Sequence, residues 1–551
     1  MTFPRDFLRG QGPLDLELNV EGTWPADLRG TAYFILPDVR GPGAGIFFAP
    51  GILARVKLDG VQGRVRWASS IVRTPDVRLS ERTPELFRRM WIAEMSPYGF
   101  SNAANTNPLA FKGRMLLCWD GGRPVEVDAQ TGEYITQLGE RSRWLEGAKY
   151  PLLPAIATTA HPVYDHERDR IYGIDYTGSL GSSEPAVLRI MTWDTQGAPM
   201  FHRVENSRLK QYVHEVGQTR DYLILAQGAF RLEARQAIDG RRSVAQRPDS
   251  PLWIVNKNDL RAGVSSVRAT EVVVKRELNH VFCDWEDRDG IITFFAQHTP
   301  AFDINCWLKP GDYSELTGEP VPESLIGMYT GGTDVCPLGR YHIDVKRGSV
   351  SDAVLQGDPK RHWMNNLYAK SYAPGDLVKH THLFHLYTGH HPELVTEEVF
   401  NLYRDHPYRT VPAEDVPLLT IPGCLDLIDL TTMKQVAGYR FKDGEAFGSP
   451  LAIPKRDMKR QDQMWVLALR LDGPQTRLCV FDGEALERGP VATATHPDFK
   501  IGLPLHTAWI EESRDRDSEY RVPFSADVGP GYQHLSTEAK RAAEAVMREL
   551  G

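Results

Sequence analysis

Four histidines stand where strands should end. His161 lies in Thr158-Thr159-Ala160-His161-Pro162-Val163-Tyr164-Asp165, an apolar, β-branched run with a proline directly after the histidine. Proline lacks an amide hydrogen and fixes its own φ, so the strand ends or bends there. That leaves the imidazole facing a central space rather than a packed sheet. His214 lies in Tyr212-Val213-His214-Glu215-Val216-Gly217-Gln218, ahead of a polar turn and the strand Leu223-Ile224-Leu225. His280 ends Glu277-Leu278-Asn279-His280, and His506 lies in Gly502-Leu503-Pro504-Leu505-His506-Thr507-Ala508-Trp509-Ile510. A single such histidine is ordinarily a satisfied core or turn residue, because neutral imidazole needs only two partners. Recurrence at strand ends points to metal chemistry instead. Widely separated ligands can meet only if their strand ends converge, and the axis of a propeller provides that.

Two other groups carry a blander reading. His380-Thr381-His382-Leu383-Phe384-His385 places His380 and His382 on one face of a strand, a spacing that can bind zinc. No cysteine or further spaced pair accompanies it, so it reads as a polar cap over a cleft or a subunit contact. Asp284, Glu286 and Asp287 read as a solvated loop rather than a catalytic pair.

The elements that must position the histidines are short strands. Thr31 to Leu36, Val65 to Thr74, Arg114 to Asp120, Ile291 to Phe295, Leu425 to Leu430 and Trp465 to Leu469 are apolar or alternating runs bounded by turn residues. The 47 Gly and 38 Pro are spread along the chain, which suits many turns. Helical patterns are few. Residues 84–91 read as a short helix with Thr83 as its cap and Pro84 at the first position. Residues 396–404 read as another, and 536–550 as a longer one capped by Ser536. Many strands without intervening helices argue for a sandwich, barrel or propeller, and 551 residues favour a propeller. The expected organisation is one propeller domain over 1–551. Residues 357–416, polar and rich in His, Tyr and Pro, are an inserted loop-and-helix cap, and 511–551 a C-terminal extension ending in a helix.

A net charge of −8 and a pI near 6.1 give no electrostatic case for nucleic acid. Six dispersed cysteines without a CxxC pair, and a polar N-terminus, point to a reducing, cytoplasmic setting. No apolar run reaches the length of a spanning helix. The composition is compatible with peripheral contact at a membrane surface.

The four histidine segments together resemble the carotenoid cleavage oxygenases, whose members read AHPxxD, HDFxxTxxYxV, HxxNAxE and PxGxHGxW around four iron-binding histidines. Ala160-His161-Pro162 with Asp165 matches the first, and His214 with Thr219, Tyr222 and Ile224 the second. In the third, Glu286 fits, while Cys283 and Asp284 replace Asn and Ala. The fourth keeps His506 and Trp509, with Gly502 and Pro504 exchanged in place. Asn105-Thr106-Asn107, Leu116 to Gly122, Pro124 and Asp128 add an N-terminal match, so the resemblance covers roughly residues 20–510.

The resemblance implies an all-β, seven-bladed β-propeller with a non-haem Fe(II) on its axis, held by His161, His214, His280 and His506. It implies glutamates behind three of the rings, and here the chain departs. Asp120 stands where one glutamate is usual and is expected to reach His214. Ser449, in Gly448-Ser449-Pro450, stands where a Gly-Glu-Pro glutamate is usual and is expected beside His506. His362 and Glu393 are candidates for the third place. Thr106 matches a threonine bordering an open iron position. Tyr368, Trp363 and Phe384 are expected to line a substrate tunnel.

The implied reaction joins O2 to a conjugated C=C bond of a carotenoid or apocarotenoid, giving two carbonyl products. Trp119 stands where stilbene-cleaving relatives tend to carry a lysine, which favours a polyene. Alternatives within the family are a stilbenoid-cleaving dioxygenase and a non-oxidative isomerase. From another class, a propeller that has lost catalysis would bind a ligand or partner; metal analysis separates it from an enzyme.

Overall fold

In the computed structural model, described over residues 3–551 except 6, 9, 11, 40–44, 178–185, 234 and 371–378, antiparallel sheets follow one another along the chain. Among the described residues, four of these sheets are simple four-stranded meanders. In one, Leu278–Cys283, Ile291–His298, Leu338–Asp344 and Ser349–Gln356 lie side by side in chain order. Burial falls across it, from a wholly buried first strand to a mostly exposed last one. The residues match that gradient, since LNHVFC is largely apolar and SVSDAVLQ carries polar groups outward. First strands therefore face the interior and last strands the rim, as an all-β propeller requires.

Closure comes from the N-terminal strands. Asp15–Gly22 pairs along its first half with Arg64–Ile71 and along its second half with Pro490–Thr495. Arg29–Pro37 then pairs with Thr507–Ile510. The resulting nine-stranded path ties the two ends of the chain together and removes edges that would otherwise invite other strands.

Residues 357–416 are not wholly an inserted cap. Asn365–Lys370 and His382–His390 join Ile421–Asp429 and Lys434–Arg440 in a four-stranded sheet. The His and Tyr of that stretch gave no polar–apolar alternation to read, since eight of the nine residues of His382–His390 are buried. The helix lies in the later part, with Glu397–Tyr403 capped by Thr396, whose hydroxyl accepts from Val399 N. The helix expected over 84–91 is displaced. Two Thr-Pro pairs carry the same start signal, and the first one nucleates the α-helix Pro75–Arg82. The second gives only the 3-10 turn Pro84–Leu86 before the strand Arg88–Met90. No described helix is long and apolar enough to cross a membrane.

The C-terminal extension is bound tightly. Ser536 caps Thr537–Leu550 by accepting from Ala539 N at 3.1 Å. The helix buries Ala539, Ala542, Ala543 and Val546 against Leu79, Tyr98 and Leu153. Upstream, Arg516 and Arg114 both grip the Glu126 carboxylate, at 2.7 and 2.8 Å, and all but Arg516 are fully buried. Burial alone would raise the Glu126 carboxyl, but the two guanidinium groups outweigh it and hold the group below its ordinary range. Replacing Arg114 with Met leaves a buried carboxylate half-paired. The variant should lose about 3 kcal/mol at neutral pH. Because the folded carboxyl is depressed, that loss should shrink as pH falls through the carboxylate range. Urea unfolding at pH 7 and pH 4 measures both; an unchanged midpoint at pH 7 would contradict the pairing.

Candidate metal centre and its cavities

Each histidine of interest sits in or beside a short strand, and local backbone bonds fix it there. His161 follows Ala157–Thr158. Its N–H donates to His214 O at 3.2 Å, and Val216 N donates to His161 O at 3.2 Å, a parallel bridge that sets the two rings side by side. The Thr159 hydroxyl donates to His214 O at 2.6 Å and accepts from His161 N at 3.1 Å. His280 lies within Leu278–Cys283, at a register shift between Leu278 and Val281. Such a bulge re-aims side chains, and here Asn279 and His280 are the re-aimed pair. His506 precedes Thr507–Ile510 and is held through its backbone, its carbonyl accepting from Ile35 N at 3.1 Å.

The four rings converge. Centroid distances are 4.7 Å for His161–His214, 4.2 Å for His161–His506, 5.1 Å for His214–His280 and 5.0 Å for His280–His506. One nitrogen from each lies within 4.8 Å of the others. Burial lowers the basicity of His280 despite the opposing effect of Glu215, and it pushes His506 well below the usual imidazole range. Neutral rings are what a metal needs, because only the unprotonated nitrogen can ligate. Four imidazoles flanked by open space suit a first-row divalent metal that keeps free positions.

Carboxylates orient two of the rings. His214 Nδ1 donates to Asp120 Oδ2 at 2.9 Å, while Asp120 Oδ1 accepts from Ala160 N at 3.1 Å. Asp120 thus reaches the ring the sequence assigned to it. His280 Nδ1 donates to Glu215 Oε2 at 2.9 Å, and Val281 N donates to the same oxygen. The Tyr368 hydroxyl donates to Glu215 Oε1 at 3.1 Å. Each Nδ1 is thereby engaged, leaving Nε2 for the centre. Sequence reasoning missed Glu215. The available signal was its place directly after His214, where alternation sends consecutive side chains opposite ways.

Three expectations are corrected by the geometry. Neither candidate for the third carboxylate position faces the rings: His362 Nε2 pairs with Asp426 at 3.0 Å, and the Glu393 carboxylate accepts from Phe3 N. Ser449 does not accept from His506. Its hydroxyl donates to Leu505 O at 2.8 Å, in a bulge where Ser449 adopts a φ of +46°. A short side chain satisfies the neighbouring backbone and stops short of the ring, and no described carboxylate hydrogen-bonds His506. Trp363 and Phe384 are fully buried and line neither cavity, Phe384 within the buried strand His382–His390 and Trp363 just before Asn365–Lys370. The His380, His382 and His385 side chains form no metal-ligand cluster among the described residues. His362, Cys424 and Asp426 do cluster, but Asp426 already takes Arg361 and His362, making a buried hydrogen-bonded network. Glu286 lies at the surface, paired with Arg220.

The rings form a partition between two cavities. One, of about 420 Å³, is bounded by His214, His280 and His506 and walled by Phe47, Phe100, Trp119 and Phe230 among others. Phe230 stacks on His214 at 4.2 Å. Thr106 also lines this cavity, its hydroxyl donating to Asn105 Oδ1 at 2.9 Å. The other, of about 330 Å³, is more polar and touches His161, His280, His506, Glu215, Tyr368 and Ser449. Tyr368 therefore supports Glu215 and faces the smaller cavity.

Residues 8–511 match the family model described as retinal pigment epithelial membrane protein. The apocarotenoid-15,15'-oxygenase of Synechocystis is 25% identical over 276 residues, which cover 46% of this chain and 54% of that protein. Resveratrol cleavage oxygenase 1 of Chaetomium globosum is 25% identical over 255 residues, 44% of this chain and 41% of that protein. The chain spans about half the length of these curated relatives. The lignostilbene dioxygenase of Pseudomonas brassicacearum superposes with a TM-score of 0.62 at 17% identity, covering 93% of this chain and 99% of that one. Cobalt-substituted Synechocystis apocarotenoid oxygenase superposes with a TM-score of 0.63 at 16% identity, covering 92% and 98%. At such identities the structures speak to the fold alone, an all-β propeller.

Loss of an orienting carboxylate typically costs about 10–100-fold in metal affinity. Glu215→Gln keeps the side-chain shape and removes the charge, so Co(II) affinity measured by chelator competition should fall by about that factor. An affinity within twofold of the parent would show that Glu215 does not act through His280.

Proposed function

The chain belongs to the retinal pigment epithelial membrane protein family, the carotenoid cleavage oxygenases, and from that membership we propose a non-haem Fe(II) dioxygenase that cleaves a conjugated C=C bond. The substrate is a carotenoid or apocarotenoid. The observation that carries the reading is the cluster of four imidazoles, three of which, His214, His280 and His506, open on an apolar cavity of about 420 Å³. That volume lies within the range of small-molecule sites.

His161, His214, His280 and His506 would hold the iron. When bound, Fe(II) supplies O2 activation, so that both oxygen atoms of one O2 end in two carbonyl products and the C=C bond is broken. The chain does the rest. Asp120 and Glu215 accept Nδ1–H from His214 and His280, which fixes tautomer and ring direction. The two carboxylates behind the imidazoles would also offset the charge of a divalent ion. Phe47, Phe100, Trp119 and Phe230 give the alkene a dry wall and exclude water. Thr106 lines the cavity with its hydroxyl held on Asn105.

Stilbenoid cleavage is a second reading, supported by the resveratrol-cleaving relative. Six buried cysteines, none of them in a disulfide, support a reducing compartment for either activity.

Iron-loaded protein should be incubated with carotenoids, apocarotenoids and stilbenes under 18O2, with products read by mass spectrometry. Aldehyde or ketone pairs carrying label in both fragments are expected from the polyene arm. An isomer without label would replace cleavage by isomerisation. No iron bound and no product from any arm would leave a binding module.

A further inference from the structure

Within the wall of the larger cavity stand two amides that no role above uses. Asn279 and Asn305 both line it, and each is 3% exposed. Asn279 Oδ1 and Asn305 Nδ2 are buried with no hydrogen-bond partner among the described residues. Asn279 shares the bulge that aims His280, so its amide stands at the metal end. Asn305 is pinned by its backbone instead. Its N–H donates to Asp303 Oδ1 at 3.0 Å, and its carbonyl accepts from Gln236 Nε2 at 2.8 Å. The side chain is thus presented at the wall by bonds that leave the amide unused. Thr106 and Asp120, which line the same cavity, are already engaged, with Asn105 and His214 respectively.

A buried amide without a partner is destabilising, and a leucine of similar size would serve a purely hydrocarbon wall better. We infer that Asn279 and Asn305 form a polar subsite that reads an oxygen atom carried by the conjugated alkene. An amide suits a hydroxyl or a carbonyl equally, since it offers both a donor and an acceptor. This rests on the alkene-cleaving reading and narrows it. The substrate is an oxygenated alkene, either an apocarotenoid alcohol or aldehyde or a phenolic stilbene, rather than a hydrocarbon polyene. Sites built to bond a hydroxyl reject the analogue that lacks it, because their own groups are then left unpaired.

Trp119 lines the same cavity, so tryptophan fluorescence reports binding without turnover. The iron-loaded protein, kept anaerobic, is titrated with two matched sets: an apocarotenol and an apocarotenal against the hydrocarbon of equal length, and 4-hydroxystilbene against stilbene. In one set the oxygenated member should bind about tenfold more tightly, and which set does so identifies the source of the oxygen. Asn305→Leu should cut that affinity about tenfold, leave the hydrocarbon within twofold, and keep or raise Tm. Equal affinities within both sets overturn the subsite using the parent protein alone. A preference that survives in the Asn279→Leu/Asn305→Leu double variant also overturns it, as does a lower Tm in Asn305→Leu, which would mark the amide as structural. If no member of either set binds, the alkene reading itself falls and the subsite with it.

Discussion

Four imidazole rings held at centroid distances of 4.2–5.1 Å, in a buried place, are the constraint on which the rest depends. Rings so close cannot all be protonated, because like charges in a poorly solvated site repel strongly. Burial drives the same way for His280 and His506. The fold therefore presents four lone pairs to one point. Everything around them serves either to hold that convergence or to give it two different surroundings, an apolar chamber on one side and a more polar one on the other.

The propeller solves a reach problem. The four residues are far apart in sequence, and only the inner ends of successive sheets bring them together. Leu278–Cys283, which carries His280, is buried throughout, and a site on such a packed strand is held more precisely than one on a loop. Bulges then make the fine adjustments, at Asn279-His280 and again at Ser449. Ring closure matters equally. His506 sits just before the strand that pairs with Arg29–Pro37, so its place is set by the joining of the two chain ends.

Much of this was legible in the residues. The four histidines, each near a turn or strand end, announced themselves, and Asp120 reached the ring assigned to it because its neighbours match the pattern closely. The capped helices at Thr396 and Ser536 formed where local signals placed them. What escaped was decided by tertiary contact. Glu215 looked like a motif letter beside His214, and its carboxylate turned out to serve a histidine 65 residues away. The stretch before residue 391 looked irregular because its strand His382–His390 is buried on both faces, where alternation fades. Ser449 illustrates the limit of substitution by position. A serine cannot span the distance a glutamate covers, and it bonded the nearest backbone carbonyl instead. The rings are consequently oriented unequally, with His214 and His280 braced and His506 held by its backbone.

X-ray absorption at the iron edge of the loaded protein tests the central claim most directly. Multiple scattering from four imidazoles per iron, with one iron per chain, is the predicted result. Fewer than four imidazoles, or a carboxylate bound directly to the metal, would contradict a centre made of His161, His214, His280 and His506.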